Sequence, residues 1–202
     1  MDQGWHSLNL KVRLAIFASG TGTNYQAIDQ AIENGELDAE IVLLVCDQPE
    51  AKVIEKAKQN ELATFVFSAD DYSDKISFET EIVKELESRS VDFIVLAGYM
   101  RLIGPTILNH YPRRMINIHP SLLPAFPGLD AVGQALDAGV KVSGVTIHYI
   151  DAGMDTGEII AQEAVKVTPG MTKEDLQTTI QQIEHKLYPK TIQEIIHEGD
   201  LT

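Results

Sequence analysis

The chain has 202 residues, of which 44% are hydrophobic, and a formal net charge of -14. This length suits one domain with a substantial core, and the charge argues against a broad nucleic-acid surface, since phosphate backbones are held by clustered Lys and Arg. The absence of a signal-like leader, of an apolar run near the roughly 20 residues needed to span a membrane, and of any cysteine besides Cys46 predicts a cytoplasmic protein without an internal disulfide.

Strand and helix patterns alternate along the first part of the chain. After a polar N-terminal extension, 1–11, a single domain is predicted over 12–202. The expected strands are 12–18, 41–46, 64–67, 93–96 and 115–119. The expected helices comprise one with residues 27, 28, 31 and 32 inward, then 51–59, 78–87 and 105–110. This order predicts an α/β fold, an open, mostly parallel sheet with helices on both faces and a Rossmann-like N-terminal half.

The pattern changes after residue 120. A proline-rich loop precedes a helix at 131–138 and two strands at 144–150 and 158–167, which predict a mixed β C-terminal part. Thr172, with Asp175 three residues on, resembles a capping arrangement that opens a long C-terminal helix. Pro189 is expected to kink or interrupt that helix.

The first candidate site is the segment Ser-Gly-Thr-Gly-Thr-Asn at 19–24, between the first strand and the first helix. Glycines allow a phosphate to approach the backbone, and free amides and the helix dipole attract it. The segment is neither a P-loop nor a dinucleotide fingerprint, because no Gly-Lys-Ser/Thr follows and Ala27 replaces the later glycine. A single phosphate is therefore favoured, with a merely tight turn as the alternative.

The second candidate site lies at the end of the fifth strand. Alternation places Asn117 and His119 on one face, at the strand end where α/β sheets bind ligands. An amide beside an imidazole suits acyl chemistry, because both can stabilise an oxyanion and the imidazole can exchange a proton. Taken alone, a histidine before a proline is equally a structural loop residue.

The third candidate site is the turn-rich segment 151–157. Asp151 is expected to cap the turn, whereas Asp155 gains a role only if the fold brings it to His119 and so favours the imidazolium. No metal site is predicted, because the spacing of the histidines and aspartates matches no metal motif. His148, inside a strand, is interpreted as a packed core residue.

Four segments together point to one enzyme family. They are Phe-Ala-Ser-Gly-Thr-Gly-Thr-Asn at 17–24, Leu-Ala-Gly-Tyr-Met-Arg-Leu at 96–102, Asn-Ile-His-Pro-Ser-Leu-Leu-Pro at 117–124 and Asp-Ala-Gly-Met-Asp-Thr-Gly at 151–157. In this order and spacing the chain resembles the phosphoribosylglycinamide formyltransferases. The resemblance implies transfer of a formyl group from 10-formyltetrahydrofolate to the amine of 5'-phosphoribosylglycinamide, in de novo purine biosynthesis, with no metal.

The resemblance also implies roles for single residues. Asn117 and protonated His119 stabilise the tetrahedral oxyanion, and Asp155 supports the charge of the histidine. The residues that match the acceptor site are Gly22, Thr23 and Asn24 around the phosphate, and Glu184. The residues that match the folate site are Lys75, Met100, Arg101, Leu102, Ile103 and Asn117. Lys75 stands where some relatives have Arg, which keeps the charge but loses bidentate geometry.

Other functions remain open at this point. Methionyl-tRNA formyltransferase and formyltetrahydrofolate deformylase share the catalytic core, but the first needs an extra domain and a basic surface and the second an additional N-terminal domain. A nucleotide-binding module is a different class, suggested by Gly20, Gly22 and Asp47 at strand ends. It leaves Asn117 and His119 unexplained. The expected partners are small molecules, and the sequence predicts no oligomeric state.

Overall fold

The computed structural model describes residues 11–198, so nearly all of the predicted N-terminal extension lies outside the described residues. The strands of the described part are β1 Val12–Phe17, β2 Ala39–Cys46, β3 Thr64–Val66, β4 Phe93–Leu96, β5 Met115–His119, β6 Val142–Tyr149 and β7 Ile159–Lys166. The helices are α1 Thr23–Glu33, α2 Lys52–Gln59, α3 Lys75–Ser88, α4 Pro105–His110, α5 Ala131–Asp137 and α6 Lys173–Glu198. Among these helices, none is long and apolar enough to cross a membrane.

All seven strands join one sheet in the order β3-β2-β1-β4-β5-β6-β7. The pairs from β3 to β5 are parallel, whereas β6 pairs antiparallel with both β5 and β7. The chain runs outward from β1 to β3 and then returns to β4 on the other side of β1. This reversal separates the loops after β1 and β4, and such a switch point is where open α/β sheets bind ligands.

Helices cover both faces of the sheet, as predicted. Successive side chains of a strand point to opposite faces. In β1, Leu14 and Ile16 belong to a core cluster shared with α1, α2 and α6. Their neighbours Ala15 and Phe17 belong to a second cluster, shared with α3 and α4. The predicted α/β class, with a Rossmann-like first half and a mixed β end, is confirmed.

Helix α6 crosses the sheet and is held from its middle. It begins with the predicted capping arrangement, in which Asp175 accepts hydrogen bonds from the backbone N–H and hydroxyl of Thr172. The buried Tyr188 hydroxyl lies 2.8 Å from Leu96 O and 3.2 Å from Ile116 O, at the β4–β5 pair. The helix continues through Pro189, so the prediction of an interruption is wrong. A proline removes only one backbone donor, and the packing of this buried stretch holds the helix together.

Candidate active site

A cavity of about 540 Å³ lies at the carboxyl ends of β1, β4 and β5. Its walls are the loop after β1, the loop after β4, the end of β5 and the segment between β6 and β7, with α6 along one side. The cavity brings together all the predicted catalytic and acceptor residues and five of the six predicted folate residues, namely Gly22, Thr23, Asn24, Met100, Arg101, Leu102, Ile103, Asn117, His119, Asp155 and Glu184. Lys75 is not among the residues that line it.

The predicted catalytic residues meet at the centre of this cavity. Asp155, in the left-handed conformation with φ of 55°, places its carboxylate Oδ2 3.4 Å from Nδ1 of His119. The same oxygen accepts a hydrogen bond of 2.7 Å from the backbone N–H of Gly128. The strand register thus supplies Asn117 and His119, and the loop after β6 brings Asp155 to them. The fold therefore brings Asp155 to His119, the contact on which its predicted role depended.

His119 is positioned by two oxygen atoms. Its Nε2 lies 2.9 Å from the carbonyl oxygen of Phe126, and its Nδ1 faces Asp155. The two oxygens orient the ring of this buried histidine.

His148 is buried, as predicted, and it also contacts two predicted site residues, which was not predicted. It pairs with Asn117 across the β5–β6 ladder, and its Nε2 lies 3.2 Å from Asn117 Nδ2 and 3.7 Å from Asp155 Oδ1. Its Nδ1 lies 2.9 Å from Tyr149 O, which assigns the proton to Nδ1 and lets Nε2 accept from Asn117. Burial lowers the pKa of His148, in keeping with this neutral form. The signal was an ionisable residue on a buried strand.

Asp151 stabilises the turn-rich segment between β6 and β7. Asp151 Oδ1 accepts hydrogen bonds from the Gly153 backbone N–H at 3.0 Å and the Thr156 hydroxyl at 2.7 Å, so its predicted turn-capping role is confirmed. Over residues 11–198, no group of three or more histidine, cysteine, aspartate or glutamate side chains is arranged to hold a metal ion.

The glycine loop forms one end of the cavity. Gly22 is the N-cap residue of α1 and has φ of 71°, a left-handed conformation that favours glycine. A Cβ at this position would lie 2.5 Å from Val53 Cγ2, so the loop also packs too closely against α2 for a side chain. The first N–H groups of a helix have no acceptor within the helix. Those at the start of α1 therefore offer donors to an anion in the cavity.

Glu184 contributes a buried carboxylate beside this loop. The side chain of Asn24 donates a hydrogen bond of 3.1 Å from Nδ2 to Glu184 Oε2. Burial raises the pKa of Glu184, and the bond from Asn24 partly offsets that rise. Within the described part of the chain, Asn24 Oδ1 is buried without a hydrogen-bond partner. The pair thus presents acceptor oxygens to a ligand that carries N–H or O–H groups.

Part of the cavity lining is apolar. Met100 and Leu102, on the loop after β4, are 64% and 52% exposed, and Leu129 and Met154, which also line the cavity, are exposed. Ile103 lines it as well and is buried. Large apolar side chains that line a cleft are typical of sites for flat organic ligands.

Two predicted functional residues, Lys75 and Asp47, contact the loop after β4 without lining the cavity. The Lys75 ammonium donates a hydrogen bond of 2.6 Å to Leu102 O and lies 3.8 Å from Glu79 Oε1. The buried carboxylate of Asp47 accepts hydrogen bonds from the Ser19 hydroxyl and from Arg101 Nε. Asp47 is therefore engaged with protein groups, which leaves the nucleotide-binding alternative without its expected ribose ligand.

A larger groove, of about 710 Å³, runs between α1 and α6. Of the predicted site residues, only Thr23 lines it. Its walls are otherwise mostly amide, lysine and glutamate side chains of the two helices. The smaller cavity at the strand ends is the candidate active site, because it contains the ionisable groups in mutual contact.

Comparison with known proteins agrees with this geometry. Residues 12–192 match the family model described as formyl transferase. The chain is 50% identical over 184 residues to phosphoribosylglycinamide formyltransferase of Bacillus subtilis (strain 168), which covers 91% of the chain and 94% of that protein. The crystal structure of the enzyme of this name from Bacillus halodurans has a TM-score of 0.90 and 53% identity, over 93% of the chain and 96% of that structure.

A second solved structure leads to the same family. Glycinamide ribonucleotide transformylase 1 from Geobacillus kaustophilus has a TM-score of 0.90 and 56% identity, with 92% of the chain and 99% of that structure covered. Sequence, fold and the order of the site segments thus coincide over more than nine-tenths of the chain. The chain belongs to the formyl transferase family.

Proposed function

We propose that the chain transfers the formyl group of 10-formyltetrahydrofolate to the amine of 5'-phosphoribosylglycinamide, a step of de novo purine biosynthesis. The observation that carries the proposal is the convergence of Asn117, His119 and Asp155 between an anion-type loop and an apolar wall in one cavity. The family match and the names of the similar proteins support the same reaction.

The acceptor is proposed to bind at the glycine-loop end. Its phosphate accepts hydrogen bonds from the backbone at Gly22, Thr23 and Asn24, where the N-terminus of α1 attracts negative charge. Glu184 accepts from the ribose hydroxyls or the amine. The N–H groups at the start of α1 attract the phosphate locally. A chain with a net charge of -14 can therefore still bind it.

The formyl donor is proposed to bind at the apolar part of the cavity. The flat pterin ring packs against the loop that carries Met100, Arg101, Leu102 and Ile103, and the backbone of that loop reads its polar edge. The exposed apolar side chains of the lining fit a flat aromatic ligand. Lys75 remains a proposed contact of the folate tail. Because its ammonium bonds Leu102 O, it would have to leave that carbonyl or share it.

The proposed chemistry is acyl transfer between the two substrates. The acceptor amine attacks the formyl carbon, the C=O π electrons move to oxygen, and collapse of the tetrahedral intermediate breaks the bond to N10 of the folate. One N–H of Asn117 donates to His148, and its other N–H, with the positive charge of His119, stabilises the oxyanion. Asp155 compensates that charge. A water molecule carries the proton from the amine to N10.

The proposed setting is a single formyltransferase domain over residues 12–202, acting in the cytoplasm on two small molecules. The net charge of -14 disfavours nucleic acid as an acceptor. The buried free thiol of Cys46 suits a reducing compartment.

The test is a steady-state assay of the purified chain with both substrates. We expect the wild type to form tetrahydrofolate, and His119→Ala to lower kcat roughly 10²-fold or more, because an oxyanion-stabilising charge is lost. His110→Ala, which changes an exposed histidine on α4, is the matched control and should retain the wild-type rate. Near-normal turnover of a folded His119→Ala would remove this residue from the mechanism.

A further inference from the structure

We propose that two buried carboxylates, Asp47 and Glu79, are positioning residues that fix the loop 97–104 in the shape that receives the formyl donor. This proposal rests on the function proposed above. Neither carboxylate lines the cavity. From the sequence, only Asp47 was assigned a site role, and only in the nucleotide-binding alternative.

The loop needs anchors from outside itself. It connects β4 to α4 without regular secondary structure and presents Met100 and Leu102 to solvent, so those two side chains contribute little packing to hold it. Its backbone polar groups must find partners on other elements, because unpaired buried N–H and C=O groups are costly. Side chains supply three of these partners, at Met100 N, Leu102 O and Gly104 N.

Asp47 anchors the first half of the loop. It follows β2, and its carboxylate accepts from the Ser19 hydroxyl at 2.5 Å and from Arg101 Nε at 2.8 Å. The same Ser19 oxygen accepts a hydrogen bond of 2.9 Å from Met100 N. One carboxylate therefore orients two consecutive residues of the donor wall, one through its side chain and one through its backbone N–H.

Glu79 anchors the second half from α3. Its Oε1 accepts a hydrogen bond of 2.6 Å from Gly104 N, the N-cap residue of α4. A Cβ on Gly104 would lie 2.5 Å from Glu79 Oε2, so the loop approaches the carboxylate as closely as a glycine permits. Glu79 also faces the Lys75 ammonium that donates to Leu102 O.

The burial of these groups indicates a specific task. Both carboxylates are about 2% exposed by side chain, and a buried carboxylate is costly unless it is paired and hydrogen-bonded. Their main partners lie on, or hold, the loop that forms the donor wall. The loop thus owes its position to two charges that approach it from opposite ends.

Neutral isosteres separate positioning from bulk packing. The single amide oxygen of Asp47→Asn can accept only one of the two donors that the carboxylate accepts. The oxygen of Glu79→Gln can still accept from Gly104, but the variant loses the charge that faces Lys75. Bonds to charged groups are among the stronger ones in proteins, so we expect each variant to raise the Kd for tetrahydrofolate about tenfold.

The experiment is a titration of the folded variants with tetrahydrofolate in the absence of acceptor, followed by steady-state kinetics. The wild type is titrated first, and a wild type that binds no folate would refute the proposed function itself. Ile82→Val, which trims the core side of α3 and removes no hydrogen bond to the loop, is the control for lost stability and should leave the Kd unchanged.

The proposal predicts a donor KM about tenfold higher with an acceptor KM within about twofold of wild type. Arg101→Met and Lys75→Met remove one cationic partner from each carboxylate without neutralising it. Because both side chains are also proposed folate contacts, Asp47→Asn and Glu79→Gln decide the test. A Kd unchanged in these two variants would overturn the proposal, as would an equal rise in the KM values of both substrates.

Discussion

Asp155 links the two histidines of the site, because each of its carboxylate oxygens faces one of them. Oδ2 lies 3.4 Å from His119, and Oδ1 lies 3.7 Å from His148. Burial lowers the pKa of His148, which favours its neutral form, whereas the proposed mechanism gives His119 a positive charge. A neutral histidine can orient the amide of Asn117, and a charged one can stabilise an oxyanion.

Replacing Asp155 tests this division of roles. We expect Asp155→Asn to lower kcat roughly 10²-fold, because the amide oxygen can still accept from Gly128 N but the neutral amide no longer compensates the charge proposed for His119. Asp151→Asn, in the same turn, is the matched control and should have near-wild-type kcat. Steady-state kinetics of both variants decide the matter, and a folded Asp155→Asn with full activity would contradict it.

The burial of Glu184 predicts how the free energy of unfolding depends on pH. Burial raises its pKa above the ordinary 4.5, so between 4.5 and the raised pKa the native state binds more protons than the unfolded chain. The free energy of unfolding therefore falls as the pH rises through that window. The buried carboxylate costs stability at neutral pH, and its proposed role in binding the acceptor would account for that cost.

Glu184→Gln removes the ionisable group but keeps an oxygen for the bond from Asn24. We expect the variant to be more stable than wild type at pH 8, with a smaller difference at pH 4.5, and to have an acceptor KM raised about tenfold. Urea unfolding at both pH values measures the first effect. A wild type that is the more stable of the two at pH 8 would contradict this account of the burial.

At the scale of elements, local patterns predicted the helices and strands, and neighbouring chemistry shifted their ends. Helix α3 begins at Lys75, three residues before the predicted 78, because Asp74 caps it by accepting from Ser77 N at 2.8 Å. Helix α6 passes through Pro189, where tertiary packing outweighs the local effect of proline. The 3₁₀ turn Ala69–Asp71 gave no periodic signal.

The glycine loop of α1 yields a prediction at this scale. Gly22→Ala forces a side chain into the left-handed conformation and against Val53, at a cost of about 1–2 kcal/mol of unfolding free energy. We expect it also to raise the acceptor KM at least tenfold, while the Kd for tetrahydrofolate stays near wild type.

Gly20→Ala is the matched control, because a Cβ at Gly20 meets nothing within 4 Å. Thermal unfolding and binding titrations compare the two variants. An equal loss of acceptor and folate binding in Gly22→Ala would indicate a general folding defect and contradict a separate phosphate site.

For the molecule as a whole, the sequence predicted the sheet and most of the cavity because those features follow from strand ends. Alternation put Asn117 and His119 on one face, and a family resemblance supplied Asp155 and the binding residues. The anchors of the donor wall were not predicted, because they join residues far apart in the chain. Asp47 meets Arg101 across 54 positions, and Glu79 meets Gly104 across 25. No local pattern encodes such contacts.

The same limit explains why His148 was taken for a core residue. Its strand is buried, and only the antiparallel register with β5 places it opposite Asn117. A parallel neighbour or a one-residue slip would have turned it to another partner or to the other face. The topology of the mixed end of the sheet therefore completes the site that the Rossmann-like half begins.

The most direct test of the central claim is formyl transfer from 10-formyltetrahydrofolate by the purified chain, with phosphoribosylglycinamide, methionyl-tRNA or water as the acceptor. A cavity with a single-phosphate loop beside Asn117, His119 and Asp155, on a chain of net charge -14, predicts tetrahydrofolate formation only with phosphoribosylglycinamide. Release of formate at a comparable rate without that acceptor, or transfer to methionyl-tRNA, would contradict it.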